Sequence, residues 1–136
     1  MGVGGQRQKR LVHATFCLLV LVALWGPISS AAATPLSDQA ISQLQYWNSH
    51  PGSVCKAMTG RVVVSVYGEG GSGPALARRR CVQRLVDEGQ QDLKVLAANT
   101  KPGGRVRVTI VRSNLVIAVA MHLRRGHWTV IGVKFP

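Results

Sequence analysis

The last third of the chain constrains the fold most, because three β-type runs there are separated by very short turns. The runs span about 105–112, 115–123 and 127–135, and the turns contain Ser113-Asn114 and Arg125-Gly126. Short turns of this composition join antiparallel neighbours into hairpins. The sequence therefore predicts an antiparallel meander.

Pairing Arg112 with Leu115 across the first turn sets the register of the first two runs. One face then receives three apolar pairs: Ile110 with Ile117, Val108 with Val119, and Val106 with Met121. The other face receives Arg105 opposite His122, Arg107 opposite Ala120, and Thr109 opposite Ala118. Because side chains alternate along a strand, the apolar face is predicted to be the core face.

The third run alternates less cleanly. Trp128 and Val130 belong to one face, whereas Ile131, Val133 and Phe135 belong to the other. We therefore expect part of the second face to be covered, either by the first helix or by another subunit in a homo-oligomer.

Three further elements are predicted upstream. Residues 37–48 form a helix, with Ser37 as its cap, Asp38 at its positive end and one apolar stripe formed by Ala40, Ile41, Leu44 and Trp47. Arg61 to Tyr67 is β-branched and aromatic and is predicted to be a strand. A second helix begins at Pro74, and its apolar spacing continues through Leu93, Leu96 and Ala97 to Pro102.

Residues Gly68–Gly73, between the predicted strand and the second helix, have the glycine spacing of a dinucleotide-binding loop. The dinucleotide-binding fold needs further parallel strands, however, and the hairpins downstream are antiparallel, so a flexible connector is favoured.

The fold class is therefore α+β: a small antiparallel meander sheet of about four strands packed with two helices. A first helix and an antiparallel sheet ending in a hairpin with Trp128-Thr129-Val130 resemble the cystatin-like and nuclear-transport-factor-like folds. The run from Arg61 to Val82 is also similar to the periplasmic C-terminal domains of TolA-type and TonB-type proteins. Both resemblances concern the order of elements, so they imply a fold and no functional residues.

Residues 1–33 are predicted to be a signal peptide. Arg7, Lys9 and Arg10 precede an apolar run from Leu11 to Ile28, and the small residues Ser29 to Ala33 follow it. The expected cleavage lies before Thr34, which leaves residues 34–136 as one exported domain, secreted or periplasmic. An uncleaved anchor, making the protein a single-pass membrane subunit of an envelope complex, is the alternative.

Charge and sulfur content point to an exported basic module. Three of the 17 basic residues and none of the five acidic residues lie before Thr34, so the remaining domain has a formal charge of +9. Such an excess predicts attraction to an anionic partner, such as phospholipid headgroups or polysaccharide. Cys55 and Cys81 are predicted to form a disulfide, as an even pair does in an oxidising compartment.

Two basic clusters are candidate anion-binding sites. The first follows the glycine connector on the second helix, and the second lies on one sheet face and its adjoining turn. Their residues are Arg78, Arg79, Arg80 and Arg84 in the first cluster, and Arg105, Arg107, Arg124 and Arg125 in the second. Few aromatic side chains accompany them, which disfavours binding of single-stranded nucleic acid through base stacking.

No residue pattern predicts a catalytic site, a metal site or a cofactor. The histidines and cysteines match no compact ligand motif, and the five carboxylates fall in connector or helix-surface positions. We therefore expect a non-enzymatic binding or structural module that contacts an anionic partner or an envelope protein assembly. A small secreted enzyme that uses a Cys–His pair is the alternative from another class.

Overall fold

The structure is a computed structural model that describes residues 34–136, and the predicted signal peptide lies outside the described residues. Four helices are followed by four strands. In chain order they are α1 Leu36–Ser49, α2 Val54–Ala57, α3 Gly60–Tyr67, α4 Pro74–Glu88, β1 Leu93–Lys101, β2 Arg105–Arg112, β3 Leu115–Arg124 and β4 His127–Lys134. The strands form one antiparallel meander in the order β1-β2-β3-β4, so the α+β class is confirmed.

The predicted register of the first hairpin is confirmed. Arg112 pairs with Leu115, and every expected pair from Ile110–Ile117 to Arg105–His122 is present. Ser113 and Asn114 both adopt positive φ, as do Arg125 and Gly126 in the next turn. This geometry matches the right-handed twist of the strands on either side.

The irregular pattern of the last strand results from a β-bulge. Ala120 pairs with Gly132 and Met121 with Val130, which leaves Ile131 as the extra residue of β4. The bulge returns Val133 to the same face as Val130, opposite Val119. The expectation that Val133 shares a face with Ile131 was therefore wrong, and α1 packs on the face that carries Val130 rather than on the second face.

Residues 61–67 are helical, so the predicted strand was wrong. Thr59 caps α3, because its Oγ1 accepts a hydrogen bond from the Val62 backbone N–H at 3.3 Å. Val62 and Val63 are both buried, which places neighbouring residues on one helical stripe instead of on opposite faces. Packing of this stripe against the rest of the core outweighs the weak β preference of valine.

The second predicted helix ends earlier than expected. Helix α4 stops at Glu88, and Gly89 follows it at φ +68°, a conformation that favours glycine. Leu93–Lys101 is strand β1, not helix, and it contains a second bulge at Leu96. The bulge interrupts strict alternation, so Leu93, Leu96 and Ala97 matched helical spacing by coincidence.

Helix α1 forms where it was predicted, with Ala40, Leu44 and Trp47 buried. The expected cap at Ser37 was wrong, because the helix begins one residue earlier and Pro35 holds the cap position. The predicted disulfide is confirmed: Cys55 and Cys81 are fully buried and join α2 to α4 with a Cα–Cα distance of 5.9 Å. No helix within residues 34–136 is both long and apolar enough to cross a membrane.

Candidate functional site

All the described helices pack on one face of the sheet. Along β2, Val106, Val108 and Ile110 are buried against the helices. Arg105 and Arg107, which alternate with them and point to the other face, are exposed. Within residues 34–136 no element covers the second face, which we call the open face. It consists of the outward residues of the four strands and the Arg125-Gly126 turn.

The open face is strongly basic. It carries half of the lysine and arginine residues of the described chain: Lys94, Lys101, Arg105, Arg107, Arg124, Arg125 and Lys134. His122 and His127 lie on the same face. The five acidic residues lie elsewhere, in α1, at the end of α4 and in the connecting loops: Asp38, Glu69, Asp87, Glu88 and Asp92. Acidic residues are therefore absent from the open face, whereas basic residues lie on both sides of the sheet.

Apolar side chains are also exposed on the open face. Leu96 and Ile131 are exposed by 50% and 39% at the two bulges, and Val116 by 43% on β3. Leu96 and Val116 lie toward the end of the sheet that holds Val111, whereas Ile131 lies level with Arg107, close to the end that holds Arg105 and His122. A surface of this kind can meet a partner that offers both negative charge and an apolar layer.

The arginines of α4 lie on the helical side, so the structure does not bring them together with Arg105 and Arg107. The Nη1 of Arg78 donates to the carbonyls of Cys55 at 2.6 Å and Met58 at 2.8 Å. These carbonyls end the short helix α2, so Arg78 fastens α2 to α4 beside the disulfide. This arrangement gives Arg78 a structural partner, which sequence reasoning did not foresee.

The remaining arginines of this cluster differ in their surroundings. Arg80 donates from Nη1 to the Ser72 hydroxyl at 2.8 Å and to the Glu69 carbonyl at 3.2 Å. Arg84 pairs with Glu88 at 3.2 Å, and Arg79 is exposed. Anion binding by the α4 arginines stays a prediction, as it does for Arg105, Arg107, Arg124 and Arg125.

A second feature is a cleft of about 300 Å³ between the helices and the inner face of the sheet. Its walls are mainly apolar and include Trp47, Met58, Leu85, Ile117 and Val133. The cleft is therefore a small, mainly apolar space on the side of the sheet that packs against the helices.

Polar side chains gather at the mouth of this cleft. Arg112 donates from Nη1 to Glu88 Oε2 at 3.2 Å and from Nε to Asn48 Oδ1 at 3.3 Å. Burial alone would raise the pKa of Glu88, but the hydrogen bonds from Arg112 and Arg84 outweigh it and lower the pKa. Burial, together with the negative charge of Glu88, raises the pKa of Tyr67. The mouth thus holds an ionised carboxylate, two guanidinium groups and a neutral phenol.

Of the mouth residues, sequence reasoning named only Arg84 and missed Arg112, Glu88 and Tyr67, although one signal for Arg112 was available. The predicted register placed Arg112 opposite Leu115, hence on the core face with Ile110. A charged residue at a core-facing position is uncommon and signals a buried partner or a site. Tyr67 gave no such signal, because its segment was assigned to a strand.

The alternative chemistries find little support in the described residues. Cys55 and Cys81 are bonded to each other, so neither is available as the thiol of a Cys–His pair. Residues 34–136 contain no cluster of three or more histidine, cysteine, aspartate or glutamate side chains that could hold a metal ion. Comparisons with protein families, with curated proteins and with solved structures found no match.

Proposed function

We propose that this protein is an exported, non-enzymatic binding module that docks its open face on anionic phospholipid headgroups. The observation that carries the proposal is the charge of the open face: seven basic residues and no acidic residue on one uncovered sheet face. The fold, with its own core and a buried disulfide, serves as a rigid platform for that face.

The magnitude of the expected attraction is substantial. A lysine or arginine near an anionic membrane surface contributes about 1 kcal/mol. Seven such contacts together contribute about 7 kcal/mol, which corresponds to a dissociation constant on the order of 10 μM. The helical side carries a similar number of basic residues, but all five acidic residues lie on that side or in its loops, so the attraction is directed through the open face.

Exposed aliphatic residues favour a lipid surface over a polysaccharide. Leu96, Val116 and Ile131 share the face with the arginines and can enter the boundary between headgroups and acyl chains. Sugar rings, by contrast, are commonly bound by stacking on aromatic side chains, and the described part of the open face presents none. Polysaccharide is accordingly a distinguishable outcome of the test.

The compartment is part of the proposal. The disulfide is typical of proteins outside the cytosol, and residues 1–33 have the pattern of a signal peptide. On this proposal, the basic face docks on a membrane surface outside the cytosol that contains anionic phospholipid. If a protein partner in an envelope assembly used the same face instead, the protein would not bind the vesicles in the experiment below.

The test is flotation of the purified protein with vesicles of equal parts phosphatidylcholine and phosphatidylglycerol. Arg105→Gln/Arg107→Gln removes two open-face charges, and Arg61→Gln/Arg79→Gln removes two exposed charges from the helical side. At about 1 kcal/mol per charge, we expect the first variant to bind roughly 30-fold more weakly and the matched control to stay within about threefold of wild type.

Three results would overturn the proposal. Equal weakening of both variants would mean that net charge alone drives binding. Equal binding to pure phosphatidylcholine vesicles would remove the role of the headgroup charge. Binding to soluble polygalacturonate with none to the vesicles would assign the face to a polysaccharide instead.

A further inference from the structure

We propose that the cleft between the helices and the sheet binds a small amphipathic carboxylic acid, with its apolar body inside and its carboxylate at Arg112 and Tyr67. This site lies on the opposite side of the sheet from the open face. The inference therefore goes beyond the proposed function and does not depend on it.

The cleft has the size and lining of a small-molecule site. Its volume of about 300 Å³ lies at the lower end of the range of ligand pockets, which is about 300–1,000 Å³. Apolar lining residues, among them Trp47, Ile117 and Val133, offer hydrocarbon surface, and the charged residues that line the described cleft are the three already named at its mouth. An apolar chain or ring system of modest length is the body that fits these walls.

The mouth supplies hydrogen-bond donors that the protein itself leaves unused. Arg112 uses Nε and Nη1 for Asn48 and Glu88, whereas its Nη2 makes no hydrogen bond to any residue of the described range. The Tyr67 hydroxyl, which also borders the cleft, makes none to those residues either. A head group that accepts two hydrogen bonds, as a carboxylate does, would satisfy both donors.

The net positive charge at the mouth also favours a carboxylate head group. Two guanidinium groups, Arg84 and Arg112, face one carboxylate, Glu88, so the mouth has an excess of positive charge. A ligand amine would meet this excess unfavourably, and a neutral alcohol would gain nothing from it. A carboxylate gains from the charge and from directed hydrogen bonds together.

Arg112 is held in place before any ligand arrives. Glu88 and Asn48 fix two of its nitrogen atoms, and Asn48 is itself fixed by donating from Nδ2 to the Gln91 carbonyl at 2.6 Å. The Arg112 side chain is only 19% exposed, so it has little freedom to leave the mouth. Preorganisation of this kind lowers the entropic cost of binding.

The first test compares three probes that share one apolar chain: decanoate, decanol and decylamine. Isothermal titration calorimetry of the purified protein without vesicles should show binding of decanoate. We expect decanol and decylamine to bind at least tenfold more weakly. Equal affinity for decanoate and decylamine, or no binding of decanoate, would overturn the proposal.

The second test uses matched variants on the two faces of the same strands. Arg112→Gln should weaken decanoate binding at least tenfold, whereas Arg107→Gln on the open face should leave it unchanged. Ile117→Phe should fill the cleft and abolish binding, whereas the neighbouring outward change Val116→Phe should not. Equal effects within either pair would contradict the assignment.

These variants also separate the two proposals. Arg107→Gln is expected to weaken vesicle binding and spare decanoate, and Arg112→Gln is expected to do the reverse. Melting temperatures of the four variants verify that they fold. If Arg112→Gln does not fold, the Ile117 and Val116 pair decides the matter alone.

Discussion

Removal of the Cys55–Cys81 disulfide is expected to cost this domain much of its stability. The bond joins residues separated by 26 positions, and both cysteines are fully buried between α2 and α4. In the chain-entropy model, a closed loop of this length restricts the unfolded chain by about 12 cal/mol/K, or about 3.5 kcal/mol at 25 °C. Small domains are stable by only about 5–15 kcal/mol, so the loss is a large share of the total.

The perturbation is the double variant Cys55→Ala/Cys81→Ala, studied by urea denaturation and by thermal melting. We expect the free energy of unfolding to fall by about 3–4 kcal/mol. For a domain of this size the melting temperature should fall by roughly 15–25 °C. The domain should still fold, because the valines of β2 and β4 form a core that does not depend on the sulfurs.

Reduced wild-type protein is the matched control for lost packing. It keeps both sulfur atoms in the core but lacks the covalent link, so its difference from the double variant measures packing alone. A fall of less than about 1 kcal/mol in both the variant and the reduced protein would refute the reasoning. It would show that the unfolded chain is not restricted as the loop length implies.

Three further outcomes are expected. Because hydrogen bonds from Arg112 and Arg84 lower the pKa of Glu88, its stabilising effect is present above the ordinary carboxyl value of 4.5 and is lost as pH falls through the lowered pKa. The gap in melting temperature between wild type and Glu88→Gln should therefore narrow as pH falls below 4.5 and close once pH is below the lowered pKa, and a gap that is independent of pH would contradict this. Arg78→Gln, which gives up hydrogen bonds to two carbonyls, should lower the free energy of unfolding by about 2 kcal/mol in urea, whereas exposed Arg79→Gln should change it by about 0.5 kcal/mol or less. Mass spectrometry of the protein purified from its native source should give an N-terminus at Thr34, and a chain that still begins at Met1 would contradict the signal-peptide prediction.

The meander could be predicted from the sequence because its determinants are local. The two-residue turn at Ser113-Asn114 fixes the register, and one slip would move Val106, Val108 and Ile110 to the wrong face. The disulfide was likewise predictable, since residues 34–136 contain only two cysteines. These features need no knowledge of how distant segments pack.

The errors arose where tertiary packing overrides a local pattern. Val62 and Val63 are buried together because a helix lets adjacent residues share one stripe, and no β-propensity argument reveals that. At Leu96 and Ile131 a bulge adds one residue, which shifts the alternation that distinguishes strand from helix. The cleft could not be foreseen either, because its walls come from helices and strands that are distant in the sequence.

The candidate sites were only partly foreseen. Arg105 and Arg107 were assigned to one sheet face, and they lie on the open face as the register required. Arg78 was grouped with Arg79, Arg80 and Arg84 by charge alone, yet it donates to the carbonyls of Cys55 and Met58. Charge runs in a sequence do not reveal which guanidinium groups already have partners.

The most direct test of the open face is to measure which side of the vesicle-bound protein faces the membrane, with spin labels on its two sides. A nitroxide placed at Asn99→Cys lies on the open face, and one at Gln45→Cys lies on exposed α1, away from it. With anionic vesicles, electron paramagnetic resonance should show the Asn99 label shielded from a water-soluble relaxing agent while the Gln45 label stays accessible. Shielding of the Gln45 label, with the Asn99 label left accessible, would contradict docking through the sheet.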